Sequence, residues 1–158
     1  MTYYIDIQNA TDKQLPITEM ELTELASLAL RAGQEDAELT IRIVSPDEMI
    51  YLNNTYRKQN KTTNVLSFPS VLPETIELEC PLLGDIIICP EVLATESEQF
   101  QKSLKEHWSL IVIHGVLHLL GYDHIKDDES FIMQALEVKL LAKLGYANPY
   151  DIEGNQVE

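Results

Sequence analysis

A chain of 158 residues, 45% hydrophobic and 23% charged, is composed as soluble globular proteins are and can bury a core without disulfide staples. With 26 Asp and Glu against 11 Lys and Arg, its formal net charge is −15, which excludes nucleic-acid binding by a broadly basic surface and confines any RNA contact to a local cationic site. Cys80 and Cys89 make neither a CxxC pair nor a disulfide framework, and "MTYYIDIQNA" has no signal-peptide regions, so a soluble cytoplasmic protein is expected.

In chain order, "YYIDIQ" reads as a strand and "ITEMELTELASLALRAG" as a helix, with Thr18 and Glu21 spaced as a capping box and Gly33 as the stop. "ELTIRIVS" alternates as a strand. In "SPDEMIYLNNTYR" Ser45 suits the N-cap, Pro46 the first helical position and Glu48 the reciprocal cap, which puts Arg57 at the end of a second helix. "NVLSFP" is a short β-run stopped by Pro69. The stretch after it, with Glu74, Glu77 and Glu79, reads as a loop or flap, and "DIIICP" as a strand buried on both faces. Helical stretches follow at about 90–120, with a break near 102, and at 127–144, where Asp127 and Asp128 are N-cap candidates and Gly145 the stop. "SLIVIHGVLHLL" falls far short of the roughly 20 residues that span a bilayer. No linker or repeat divides the chain. The expected fold is a single α+β domain over 1–150, a small mixed sheet of about four strands with about five helices, followed by an acidic tail at 151–158.

The chemistry concentrates in "HGVLHLLGYDH". His114 and His118 are four residues apart, so a helix places both rings on one face, one turn apart. Gly121 can take the positive φ that reverses the chain and returns His124 towards the same point. This is the histidine and glycine spacing of metzincin zinc proteases. Three neutral imidazoles suit Zn²⁺ and leave a position open for water, the pattern of a catalytic site. The second position of H-E-x-x-H, which supplies the peptidase base, is Gly115 here, so hydrolysis is favoured over peptide hydrolysis. His107 lies about 10 Å along the helix axis from His114, too far to ligate, and reads as a solvent-facing or capping residue. Asp123 either orients a histidine or makes a local turn bond.

The local cationic site is "TYRKQNKTTNVLSFP", which holds Arg57, Lys58 and Lys61. Such a cluster at a helix end can simply complement the helix dipole. In a chain this acidic it is also where a phosphate would go, and the planar guanidinium of Arg57 suits bidentate phosphate binding.

Together "HGVLHLLGYDH", "TYRKQNKTTNVLSFP" and "LLGDIIICP" resemble the YbeY family of bacterial metal-dependent endoribonucleases, over about residues 40–150 including "LGYANPY". The N-terminal third matches in layout only, and some members carry aspartate where this chain has Asn64. The resemblance implies a single-strand-specific endoribonuclease that matures the 3′ end of small-subunit rRNA and serves ribosome quality control. It implies His114, His118 and His124 as ligands of one Zn²⁺ and Arg57 as a catalytic residue. The implied partners are single-stranded RNA, such as a small-subunit rRNA precursor, and the ribosome or its small-subunit assembly proteins. Asp85, Asp123 and the RNA 2′-hydroxyl all stand as candidate bases. A different zinc hydrolase (peptidase or amidase) and a non-catalytic zinc-binding assembly factor are the competing readings.

Overall fold

The computed structural model describes residues 2–70, 80–122 and 127–151. The acidic stretch with Glu74, Glu77 and Glu79, the pair Asp123 and His124, and the tail from 152 lie outside the described residues.

Four strands form one mixed sheet in the order β1-β2-β4-β3. β1 (Thr2–Asn9) runs parallel to β2 (Asp36–Ile43), with Ile5 opposite Leu39 and Ile7 opposite Ile41. β4 (Leu82–Ile88) is parallel to β2, and β3 (Val65–Pro69) is antiparallel to β4 at the sheet edge. Pro69 ends an edge strand, where a missing N–H is tolerated.

Among the described residues five helices accompany the sheet, as the α+β pattern predicts. α1 (Glu19–Leu30) starts in the expected capping box: Thr18 Oγ1 accepts from Glu21 N at 3.0 Å and Glu21 Oε1 from Thr18 N at 3.1 Å. α2 (Pro46–Arg57) keeps only half of its box. Ser45 Oγ accepts from Glu48 N, but the Glu48 carboxylate turns to Arg42 on β2, at 2.7 and 3.2 Å. A guanidinium one strand away outcompetes a backbone N–H as partner for a carboxylate. The break expected near 102 separates α3 (Pro90–Gln99) from α4 (Leu104–Leu119), with Gln101 at φ 54° between them. α5 runs over Asp127–Lys143, so both N-cap candidates, Asp127 and Asp128, fall inside its first turn rather than at the cap.

The Ile86–Ile88 run of β4 is buried on both faces, as its unbroken isoleucines predict, while Asp85 before it is exposed. Ile86 and Ile88 join α1 and α4 in the larger core, while Ile87 packs with Leu66, Met49 and Cys89 under α2. α4 is buried nearly all round, so it is a central core helix rather than an amphipathic surface one. Among the described residues, no helix is long and apolar enough to cross a membrane.

Candidate metal centre and its cleft

α4 carries the histidines into the core from its C-terminal half. His114 is 2% exposed and His118 half-buried, and their rings stand edge to face with centroids 4.6 Å apart. Helical spacing brings the pair together as the sequence predicts. After Leu119 the chain reverses at Gly121, whose φ of 103° a β-carbon would strain. Gly121 N donates to His118 O and Tyr122 N to Leu117 O, closing both hydrogen bonds of a Schellman motif. The turn thus leaves α4 directly after the two histidines. His124, the third expected ligand, lies beyond it and outside the described residues, as does Asp123. Among the described residues no three metal-binding side chains stand together.

The two described histidines are donors of the kind a zinc ion accepts. His114 Nδ1 lies 2.9 Å from Glu137 Oε2, and Tyr150 Oη donates to Glu137 Oε1 at 2.7 Å. With the Glu137 carboxylate as the acceptor, Nδ1 is the donor and ligation by His114 would run through Nε2. Glu137 is 1% exposed on α5. Burial, then the Glu137 charge, push the Tyr150 phenol above its usual range, so it donates at any working pH. Sequence reasoning missed both groups. The signal for Glu137 was there: a carboxylate in the apolar stripe of Met133, Leu140 and Leu141, at helical spacing.

Gly115 has a structural reason to be glycine. A β-carbon there would stand 2.9 Å from Ile86 Cγ2 of β4, and Ser67 Oγ donates to Gly115 O at 3.2 Å. The position at which a zinc peptidase carries its glutamate is therefore pressed onto the sheet, where no glutamate fits. Asp85 neighbours Ile86, which faces α4, so strand alternation points Asp85 to the opposite face of the sheet, where it pairs across the ladder with Phe68 of β3.

Arg57, the last residue of α2, is exposed and shares a cleft of about 430 Å³ with His118. The cleft wraps the edge strand β3, with Ser67 and Phe68 in its wall. The exposed ring of Tyr56 also lines it and packs on Phe68 at 5.1 Å between centroids. A larger cavity of about 530 Å³, bounded by Val44, Pro90, Leu104 and Trp108, has no histidine in its wall.

The loop that follows Arg57 is held by buried amides. Fully buried Asn53 donates through Nδ2 to Lys61 O at 2.9 Å, and Asn64 Nδ2 reaches both Glu96 oxygens at 3.2–3.3 Å. Glu96 Oε1 also meets His107 Nε2 at 2.9 Å. His107 is thus neither solvent-facing nor a cap, as the sequence suggested. It is fully buried and helps hold the carboxylate that anchors Asn64. The expectation failed because α4 packs against α3, covering a helix face that would otherwise meet water.

A model of the family described as Endoribonuclease YbeY matches residues 6–145. The Endoribonuclease YbeY of Legionella pneumophila (strain Corby) is 71% identical over 158 residues, 100% of both chains. That of Pseudomonas putida (strain W619) is 49% identical over 151 residues, 96% of this chain and 95% of its own. The solution structure of a Thermotoga maritima protein superposes with a TM-score of 0.60 at 28% identity, over 89% of this chain and 88% of the other.

Proposed function

The chain belongs to the YbeY endoribonuclease family, and from that premise we propose that it is a zinc-dependent endoribonuclease acting on single-stranded RNA in the cleft around β3. The observation that carries this reading is that Arg57 and His118 line one cleft although 61 positions separate them in the sequence (118 − 57). His114, His118 and His124 would hold the Zn²⁺, which when bound polarises a phosphoryl oxygen and acidifies water. Arg57 places its guanidinium against the phosphate oxygens and balances the negative charge that grows there as the bond breaks. Tyr56, braced on Phe68, offers an exposed ring on which an unpaired base stacks. Inside a duplex both faces of a base are covered by its stacked neighbours, which accounts for single-strand preference. Surrounding acidic charge keeps the phosphate contacts few, so binding weakens only modestly with salt.

The family reading extends to the substrate in the cell. We assign the small-subunit rRNA precursor, cut in 3′-end maturation and in ribosome quality control, with ribosomal or small-subunit assembly proteins as partners in the cytoplasm. Residues 1–150 form the endoribonuclease domain and 151–158 an acidic tail.

A labelled RNA offered single-stranded, annealed to its complement, and as DNA of the same sequence tests the substrate class. Cleavage of the single-stranded RNA alone is expected, and equal cleavage of the duplex contradicts the reading. In the same assay Tyr56→Ala raises KM about 5- to 150-fold, since a stacked base is worth roughly 1–3 kcal/mol, and leaves kcat nearly unchanged. A fall in kcat at constant KM would remove Tyr56 from substrate binding.

A further inference from the structure

We propose that Glu137, held by Tyr150, is the positioning residue that fixes His114 as an Nε2 metal ligand, so that the C-terminal turn Pro149–Asp151 is part of the metal centre. The inference rests on the reading of His114 as a ligand. Three side chains from three segments form one chain, buried at His114 on α4 and Glu137 on α5 and half-buried at Tyr150 in a 3₁₀ turn past the end of α5. Each carboxylate oxygen has its own partner, Nδ1 at 2.9 Å and the donating phenol at 2.7 Å. A lone imidazole can present either nitrogen; this one cannot. With Nδ1–H committed to Glu137, the ring can neither flip nor change tautomer without breaking a buried charged hydrogen bond.

Tyr150 does the same for Glu137. The chain leaves α5 through Gly145, where Tyr146 N donates to Leu141 O at 3.0 Å, and turns back. Asn148 Oδ1 then accepts from Tyr150 N at 2.8 Å, closing the short turn that brings the phenol to the carboxylate. A role in stability alone explains this poorly. A buried carboxylate is costly to desolvate, and an apolar side chain of similar size would pack between α4 and α5 at no such cost. Glu137 makes sense where the imidazole beside it must hold one nitrogen protonated.

The test measures zinc dissociation constants by chelator competition for the full-length wild type, Glu137→Gln, Tyr150→Phe and His114→Ala. Imidazole nitrogen NMR shifts of the zinc-free proteins are read alongside. Glu137→Gln should weaken zinc binding about 10- to 100-fold, with Tyr150→Phe moving less in the same direction. Zinc-free wild type should show His114 protonated at Nδ1, and Glu137→Gln should lose that preference. A merely structural residue would not move this signature. Wild-type zinc affinity with an unchanged His114 tautomer in Glu137→Gln overturns the proposal. If that variant does not fold, Tyr150→Phe decides, and wild-type affinity there overturns it equally. If His114→Ala also binds zinc as wild type does, the ligand reading itself has failed, and the positioning role falls with it.

Discussion

His114→Ala is expected to leave a folded protein that no longer retains zinc and cuts single-stranded RNA on the order of 10³-fold more slowly. Losing one of three protein ligands removes both affinity and the geometry that keeps a position open for water. The substitution also strands the Glu137 carboxylate, 1% exposed, without its Nδ1–H partner. Stability should therefore fall by about 1–3 kcal/mol, the usual cost of a buried acceptor left unpaired. Zinc per chain by elemental analysis, cleavage rate and a urea unfolding curve separate these effects. His118→Ala is the cleaner partner variant, because His118 is only half-buried and the Glu137 carboxylate keeps both His114 and Tyr150. Zinc content and cleavage at wild-type levels in both variants would sink the metal centre.

Arg57→Ala should separate chemistry from metal binding. The side chain is exposed at the end of α2, so zinc content should stay at the wild-type level and stability within about 0.5 kcal/mol. Cleavage should fall about 10²- to 10³-fold, the range for removing one preorganised group that stabilises developing charge. Arg57→Lys should recover only part of the loss, because an ammonium lacks the planar fork that meets two phosphate oxygens. Undiminished cleavage by Arg57→Ala would reduce the guanidinium to a helix-end charge.

The elements legible in the sequence are those whose signal is local. The Thr18–Glu21 capping box, the unbroken isoleucine run of β4 and the glycine that stops α4 are each written within a few residues, and each appears in the structure as read. The pairing of His114 with His118 is equally local, since four residues on a helix fix the geometry. What failed depended on partners that sit on other elements of the fold. Glu48 left the cap of α2 for Arg42 on the neighbouring strand. His107 was read as facing solvent because nothing nearby in sequence reveals that Glu96 and Phe100 at the end of α3 cover it. Glu137 and Tyr150 went unread for the same reason: their meaning comes from an imidazole 23 residues upstream of the carboxylate. Arg57 sits between these cases. Its chemistry could be argued from charge alone, while its place beside His118 required the sheet edge that joins α2 to α4.

The most direct test of the account is to strip the protein of metal with a chelator, restore zinc stepwise, and follow cleavage of a labelled single-stranded RNA. His118→Ala is treated in parallel. The stripped wild type should be inactive and should recover fully at one zinc per chain, while the variant stays inactive at every ratio. Cleavage by the stripped wild type at its untreated rate would contradict a zinc-dependent nuclease.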